Sequence, residues 1–431
     1  MVLCMKHILV LFAALTLACA AVPAAAQSGE ASPALQERAQ ELGDVFRGQG
    51  DAAMLFGPQF LAEVPPSLFA QIVAQVTALY GEFIGVERIE PQGPFAGTVY
   101  LRFDNAIASG PFTLDPAPPH KVAGLLLQSF APIDDSLADI RRDLEALPGD
   151  VSVLFTSLGS GAEPVIAMND GQQMAIGSTF KLYVLSALAR SISSGERTWS
   201  DVVTIDTRSF PSGTMHLWPE GAPVTLQTLA TQMISGSDNT ATDVLIGVLG
   251  RRAVEAEVTA SGHAAPAGLI PLLSTLELFA LKGSEYNRGK YLAADDAGKR
   301  RILADFRDDV GGDPDKIVPP RFSSPTAIDT IEWFASGRDI AGILQRLVAL
   351  DDPTARHILA VYPALPASLV DDWSYAGYKG GSEPGVLNLS WLLRDQTGGW
   401  RVLAMTWNNP DAALDHSKLE SIAQRIVRLA R

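Results

Sequence analysis

The order of hydrophobic patterns beyond residue 131 places the strongest constraint on the fold. Strand-like alternation occurs at residues 151–157 and 165–168 and returns only at residues 386–393 and 402–407. The long segment between them has helical spacing, and residues 414–429 end the chain with an amphipathic helix pattern. Strands from both ends can pair in one sheet. This order therefore predicts an antiparallel sheet flanked by helices and carrying a helical subdomain.

An earlier group of patterns predicts a separate small unit. Residues 35–46 and the segment that opens at Pro65-Pro66 have helical spacing, and strand-like segments follow at residues 98–103, 107–114 and 121–128. The chain has 431 residues, whereas single hydrophobic cores stop growing near ~250–300 residues. We therefore expect an α+β accessory domain at residues 27–131 and a second α+β domain at residues 132–431.

Residues 1–26 are typical of a cleaved export signal. Lys6 and His7 precede an almost wholly apolar run from Ile8 to Ala20, and small residues lead to an expected cleavage after Ala26. The apolar run is too short to span a bilayer as a helix. We therefore expect a periplasmic or secreted protein with no membrane span in the mature chain. An uncleaved anchor and a lipid attached at Cys19 are the alternatives.

Charge and cysteine content exclude several functional classes. The formal net charge of −15 argues against nucleic-acid or anionic-membrane partners. The two cysteines, Cys4 and Cys19, both lie in the leader, which excludes disulfides, thiol catalysis and cysteine-bound metal in the mature chain. The six histidines are isolated, and neither a zinc-protease motif nor Gly-x-Ser-x-Gly occurs. We therefore expect no metal site and no cofactor.

Ser178-Thr179-Phe180-Lys181 places a serine and a lysine three residues apart at the start of an apolar helix pattern. At this spacing both side chains lie on one face of the helix. A serine hydroxyl is a weak nucleophile until a neighbour takes its proton, and a buried lysine with a lowered pKa can do so. In isolation, however, the pattern more often marks an ordinary helix surface.

Ser237-Asp238-Asn239 lies between two apolar helix patterns. Short polar residues of this kind commonly cap the start of a helix, and the motif in isolation favours that interpretation. A functional interpretation places the Ser237 hydroxyl in a proton relay to the leaving group. Asn239 then contacts the substrate amide and Lys181. The two interpretations are compatible.

Lys379-Gly380-Gly381-Ser382 is, in isolation, typical of a glycine turn with a solvated lysine. The alternative is a strand that a substrate approaches closely because glycine has no side chain. Lys379 then supplies positive potential beside the nucleophile. The backbone N–H of Ser382, together with that of Ser178, forms an oxyanion hole in this interpretation.

The three motifs occur in the order found in class A β-lactamases and penicillin-binding proteins, and the segment Met233–Asp243 is especially similar to that family. On these residues, the chain from residue 133 onward resembles the serine β-lactamase superfamily and is nearest to class A. The resemblance implies an acyl-enzyme at Ser178 and a β-lactam or related ester as substrate. The implied catalytic residues are Ser178, Lys181, Ser237 and Lys379, and the implied substrate-binding residues are Asn239, Gly381 and Ser382.

Two departures from the family pattern bear on the substrate. The family's deacylating glutamate is followed two residues later by Leu-Asn, and no glutamate here has that context. Glu277 lies in an apolar helix pattern and is interpreted as structural; the other glutamates of this region are Glu255, Glu257 and Glu285. The second departure is Gly380, which stands where the family has a threonine or serine that helps to hold the β-lactam carboxylate. Ser382 is a possible substitute.

These departures favour a weak β-lactamase or an esterase. The two-domain arrangement also resembles the β-lactamase-like esterase of the clavulanate pathway, and the small domain resembles cystatin or steroid-isomerase modules. The small domain is then a packing partner or a lid. A penicillin-binding or cell-wall peptidase-like protein, or a module that is acylated without turnover, is the alternative. Acylation without turnover is recognised by an adduct that accumulates on Ser178.

Overall fold

The computed structural model describes residues 31–133, 135–159, 161, 163–318 and 323–429. These residues form two compact units that divide after Ile133. The expected signal segment, residues 1–26, lies outside the described residues. Among the described residues, no helix has both the length and the apolar character needed to cross a membrane.

The N-terminal unit has four helices followed by an antiparallel sheet. In the sheet, β1, β2, β3 and β4 are neighbours in that order, and β5 pairs with β3. Leu35, Ala39, Leu42 and Phe46 recur at helical spacing along the first helix and are buried in the core of this unit. The elements are α1 (Pro33–Phe46), α2 (Ala52–Leu55), α3 (Pro58–Glu63), α4 (Pro66–Tyr80), β1 (Phe83–Gly93), β2 (Ala96–Phe103), β3 (Ala106–Leu114), β4 (Val122–Leu125) and β5 (Ser129–Pro132).

The strand predicted at residues 121–128 is shorter in the structure. It ends at Leu125, and the chain then follows β3 through hydrogen bonds from the Leu126 N–H to the Pro111 carbonyl and from the Gln128 N–H to the Ser109 carbonyl. Proline has no N–H, so Pro111 cannot return a hydrogen bond and the regular ladder is interrupted beside it. The likeness of this unit to cystatin or steroid-isomerase modules stays a prediction.

The C-terminal unit is built on an antiparallel five-stranded sheet in which β12, β13, β14, β6 and β7 are neighbours in that order. The sheet joins strands from both ends of the unit, which confirms the predicted architecture. Its strands are β6 (Asp150–Ser157), β7 (Ile166–Met168), β12 (Tyr375–Glu383), β13 (Val386–Arg394) and β14 (Trp400–Asn408). Four shorter strands form two pairs: β8 (Met174–Ala175) pairs with β11 (Phe334–Ala335), and β9 (Val202–Thr204) pairs with β10 (Pro223–Thr225).

Helices cover both faces of this sheet. One face packs on α5 (Leu137–Glu145) and α16 (His416–Leu429), and the other packs on the helical region. Side chains alternate between the faces, so Leu389 and Trp391 join the core beneath α5 and α16, whereas Leu392 joins the other core. The helical region comprises α6 (Lys181–Ser193), α7 (Leu226–Ser235), α8 (Asn239–Leu249), α9 (Arg251–Ala260), α10 (Thr275–Gly283), α11 (Glu285–Ala293), α12 (Asp296–Val310), α13 (Gly337–Val348), α14 (Thr354–Leu359) and α15 (Ala367–Val370).

A buried group of charges ties α10 to the end of β12. Lys282 donates to Glu332 at 2.8 Å and also to Glu383. All three residues are largely shielded from water. Burial, followed by the negative charge of Glu332, raises the pKa of Glu383 to about 9. At neutral pH, Glu383 is therefore largely protonated, and Lys282 and Glu332 form the ion pair.

Removing the lysine from this group should destabilise the C-terminal unit. Lys282→Met leaves Glu332 buried without its cation, and we expect a loss of about 3–5 kcal/mol in unfolding free energy. All seven tryptophans lie in this unit, so urea denaturation followed by tryptophan fluorescence reports on it selectively. Lys418→Met, at an exposed lysine of α16, is the control and should change stability by less than about 0.5 kcal/mol.

The triple variant Lys282→Met, Glu332→Gln, Glu383→Gln tests the cause. It removes the buried charges together, and we expect it to recover most of the loss. A triple variant as unstable as Lys282→Met alone would show that packing of the lysine stem, and not its charge, is what the single substitution removes.

Candidate active site

Ser178 lies in a short 3₁₀ turn, Gly177–Phe180, that leads directly into α6. The residues after it anchor this turn to the core. Thr179 donates through Oγ1 to Asn388 Oδ1 at 2.8 Å, and the Phe180 ring stacks on Trp333 with centroids 3.7 Å apart. Ser178 itself is only half-buried. The backbone of the turn is therefore fixed, while the Ser178 hydroxyl stays accessible.

The turn and strand β12 are in close backbone contact. A Cβ atom on Gly381 would lie 2.5 Å from the Ser178 nitrogen, so only glycine fits there. A Cβ on Gly177 would lie 3.2 Å from the Ser382 nitrogen. The nitrogens of Ser178 and Ser382 thus belong to adjoining backbone segments, as two donors to one oxyanion must.

Lys181 is fully buried at the first turn of α6. Its Nζ lies 2.7 Å from Asn239 Oδ1, 2.5 Å from the Ser237 carbonyl oxygen and 3.3 Å from Ser237 Oγ. Burial lowers its pKa well below the ordinary lysine value, and the positive charge of Lys379 lowers the pKa further. Asp243 and Asp238 partly oppose this shift. An amine with its pKa lowered in this way is neutral, and able to accept a proton, at lower pH than an ordinary lysine.

Lys379 reaches the same serine from strand β12. Its Nζ donates to Ser237 Oγ at 3.0 Å and to the Gly380 carbonyl. The side chain is buried within strand β12, which overturns the interpretation of this motif as a turn with a solvated lysine. Burial lowers the pKa of Lys379 to about 7. Ser237 Oγ therefore lies between two amines whose proton affinities are both reduced.

The Ser237-Asp238-Asn239 motif caps a helix through Asp238 and contacts Lys181 through Ser237 and Asn239. Asp238 caps α8 by accepting from the Ala241 N–H and also accepts from the Met215 N–H. Ser237 has a φ of 50°, in the left-handed region, which is unusual for a residue with a side chain. Its carbonyl accepts from Lys181 Nζ and from Ser212 Oγ at 2.7 Å.

Sequence reasoning did not identify the role of Ser212. Its hydroxyl binds the Ser237 carbonyl, and its own carbonyl accepts the Asn239 N–H at 3.1 Å. The preceding Phe210 carbonyl accepts from Asn239 Nδ2 at 3.0 Å. Segment 210–212 thus orients both polar residues that contact Lys181. The turn residues Pro211-Ser212-Gly213 were the available signal in the sequence.

Two described carboxylates, Asp238 and Asp243, act on the pKa of Lys181 through their charge. Both of them bind backbone N–H groups and not the amine. Asp243 accepts the N–H groups of Thr275 and Leu276 at 2.7 and 2.9 Å, and burial raises its pKa to about 6. Asp238 is the cap of α8. Both carboxylates are therefore positioned to hold helix starts and not to activate a water molecule.

The glutamates considered as deacylating bases also have structural partners. Glu277 forms a two-point ion pair with Arg251 and completes a capping box with Ser274. Glu255 pairs with Arg300 in the same two-point way. Glu257 pairs with Arg346, and Glu285 is exposed. Among the described residues, no group of three or more histidines, cysteines or acidic residues is arranged to hold a metal ion.

Strand alternation explains the glycine at position 380. Tyr378, Gly380 and Ser382 share one face of β12, and Lys379 lies on the other. A Cβ on Gly380 would overlap the Tyr378 hydroxyl oxygen. The space that a threonine or serine would need at this position is thus already filled by a tyrosine. Ser382 is exposed on the same face as Gly380.

Three solved structures are similar to the chain. A β-lactamase from Sphaerobacter thermophilus is 22% identical, covers 68% of this chain and 95% of its own, and has a TM-score of 0.47. A mutant of PBP-A, solved as an acyl-enzyme complex with penicillin G, is 17% identical, with coverages of 68% and 95% and a TM-score of 0.46. A β-lactamase from Francisella tularensis is 13% identical, with coverages of 68% and 97% and a TM-score of 0.47.

The search of curated proteins gives no match. Residues 135–304 match the β-lactamase enzyme family. This segment contains two of the three motifs, those at Ser178 and Ser237. The structure brings the third, at Lys379, into hydrogen-bonding distance of Ser237. Over residues 135–304, the match confirms the resemblance to the β-lactamase family that the motifs predicted.

Proposed function

We propose that the protein is an exported serine hydrolase that forms an acyl-enzyme at Ser178 and cleaves small esters or β-lactams. The observation that carries the proposal is the shared contact at Ser237. Lys181 and Lys379 both reach its hydroxyl, at 3.3 and 3.0 Å, and burial lowers the pKa of each lysine. A structural cap on α8 needs neither amine, whereas a proton relay through Ser237 needs an amine that can exchange a proton with its hydroxyl.

The proposed reaction begins with neutral Lys181 removing the proton from Ser178 as the serine oxygen attacks the substrate carbonyl. The backbone N–H groups of Ser178 and Ser382 stabilise the resulting oxyanion. The proton passes from Lys181 through the Ser237 hydroxyl to the leaving group. Lys379, protonated, supplies positive potential beside Ser237, and Asn239 and Gly381 help to position the substrate.

An ester suits this site better than a β-lactam. Among the described buried glutamates, Glu255, Glu257 and Glu277 are held by arginines, and Glu332 is paired with Lys282. None of these four carboxylates is free to act in deacylation. Gly380 also lacks the hydroxyl that holds the β-lactam carboxylate in the related family. Esters are easier to cleave than amides and demand less of the deacylation step. Peptidase action on cell-wall peptides and acylation without turnover are the competing outcomes.

A cephalosporin that bears an acetoxy group on its side arm distinguishes these activities. With the purified protein, we expect release of acetate with an intact β-lactam ring, measured by mass spectrometry of the products. Ser178→Ala should abolish the release, and Ser194→Ala, at an exposed serine just beyond α6, should leave it unchanged. Hydrolysis that persists in Ser178→Ala would refute the proposal.

The remaining products identify the alternatives. A ring-opened product with water added indicates a β-lactamase. Stable mass on the peptide that contains Ser178, without product, indicates acylation without turnover.

The pH profile of kcat/KM should have an acid limb set by Lys181 and an alkaline limb set by Lys379. Lys181 must be neutral, so activity falls as pH drops through its lowered pKa. Lys379 must be charged, and its pKa is about 7, so activity falls as pH rises above neutrality. The alkaline limb, near pH 7, should appear in a profile measured between about pH 5 and 9, and the limb set by Lys181 should lie on its acid side.

In Lys379→Arg the alkaline limb should move to higher pH, because a guanidinium stays protonated throughout this range. Lys418→Arg, at the exposed lysine of α16, is the control and should retain the original profile. An alkaline limb at the same pH in Lys379→Arg would assign that limb to a different group.

The glycine at 380 gives a test of substrate preference. Gly380→Thr alone should lower both stability and activity, because the new side chain collides with Tyr378, at a cost of about 1–3 kcal/mol. The double variant Tyr378→Ala, Gly380→Thr supplies both the space and the hydroxyl. We expect it to recover stability and to raise β-lactam acylation relative to acetate release. If the two substitutions lower stability additively in the double variant, the contact between Tyr378 and the side chain at position 380 is contradicted.

A further inference from the structure

A cavity lies against the face of β12 that carries Tyr378, outside the residues assigned to the reaction. Its volume is about 190 Å³. Strands β12 and β13, helix α16 and the loop before α15 enclose it. Its chemically distinctive lining residues are Tyr362, Tyr378, Trp391, Glu420 and Gln424. Three aromatic rings, one carboxylate and one amide therefore border a space that can hold a small organic molecule.

The aromatic walls are fixed in place. The rings of Tyr378 and Trp391 lie 4.9 Å apart at an angle of 41°. Trp391 donates through Nε1 to the Pro363 carbonyl at 2.8 Å, which ties β13 to the loop that carries Tyr362. The third ring, Tyr362, is 60% exposed and stands at the rim. The cavity is consequently preformed on two sides and open on the third.

Glu420 gives the cavity a negative charge that no described residue neutralises. Its carboxylate forms no hydrogen bond or ion pair with the described part of the chain. Arg425, on the same helix, is committed to Asp135 and Asp143. Burial, and then the negative charge of Glu420, raise the pKa of Tyr378. The charge of Glu420 thus acts on Tyr378, one of the aromatic residues that line the cavity.

We infer that this cavity binds a small organic cation, with an alkylated ammonium group held by the aromatic rings and Glu420. Aromatic faces carry partial negative charge and attract cations that are weakly hydrated. A lone carboxylate among aromatic rings lacks the several oxygen ligands that Ca²⁺ or Mg²⁺ requires. An alkylated ammonium combines apolar surface for the rings with a positive charge for Glu420, so it matches both kinds of wall.

The position of the cavity links its occupant to the proposed active site. The Tyr378 hydroxyl packs over Gly380, and Gly380 lies between Lys379 and Gly381 in the sequence. A ligand that rests on the Tyr378 ring is therefore separated from the active-site strand by a single side chain. Binding itself, however, does not depend on catalysis, and the inference stands or falls separately from the proposed function.

Isothermal titration of the full protein with choline tests the inference. The control ligand is 3,3-dimethyl-1-butanol, which has the same shape as choline without the charge. We expect choline to bind at least about tenfold more tightly than the alcohol, through the rings and Glu420 together. Ser178→Ala should bind choline as the unaltered protein does. Equal affinity for choline and the alcohol, or no saturable binding of choline, would overturn the inference.

Matched variants locate the site. Glu420→Gln should weaken choline binding by about tenfold and leave the affinity for the alcohol unchanged. Tyr362→Ala should weaken choline binding as well, because it removes the ring at the rim. Glu220→Gln makes the same charge change at an exposed glutamate outside the cavity and should have no effect. Undiminished choline binding in Glu420→Gln would show that the cation binds elsewhere.

Discussion

The burial of two lysine amines around one serine hydroxyl is the constraint on which the rest of the candidate active site depends. Lys181 is fully buried, Lys379 is 3% exposed, and both contact Ser237 Oγ. Two positive charges in contact with one hydroxyl repel each other, and neither is hydrated as it would be in water. Burial lowers the pKa of both lysines, and the charge of Lys379 lowers the pKa of Lys181 further. The fold must therefore supply acceptors for the remaining N–H groups without adding a full negative charge beside them.

The surrounding residues meet this requirement with uncharged acceptors, which are backbone carbonyls and one side-chain amide. Lys181 is met by the Ser237 carbonyl and the Asn239 amide oxygen, and Lys379 by the Gly380 carbonyl. The nearby carboxylates of Asp238 and Asp243 bind backbone N–H groups at the starts of α8 and α10. Their charge therefore reaches Lys181 only through space and opposes the pKa shift only in part. A carboxylate in direct contact would hold the amine in its protonated form and remove its capacity as a base.

The sequence allowed the architecture and the three motifs to be predicted, because each depends on local pattern. Alternation at both ends of the C-terminal unit indicated one sheet, and that sheet is what brings Lys379 to Ser237, 142 positions away. The contacts that refine the site could not be predicted this way. These contacts join residues that are distant in the chain. They are the hydrogen bond from Ser212 to Ser237, the stacking of Phe180 on Trp333 and the ion pair of Glu277 with Arg251. The packing of Tyr378 over Gly380 involves near neighbours, but it depends on a side-chain direction that composition does not reveal.

The fate of the leaving group offers a physical reason for the preference proposed here. In the proposed reaction, an ester acylates Ser178, and its alcohol then separates and vacates the space beside Ser237. Once Lys181 has passed its proton through Ser237 to that alcohol, it is neutral again and can activate a water molecule at the same carbonyl. When a β-lactam opens, the leaving nitrogen remains tethered to the acyl group and stays beside Ser237 and Lys379. Water then lacks a path on the Lys181 side, and a separate carboxylate would be needed on the opposite side. Because Glu255, Glu257 and Glu277 are held by arginines and Glu332 is paired with Lys282, we expect a β-lactam adduct on this site to outlive an acetyl adduct.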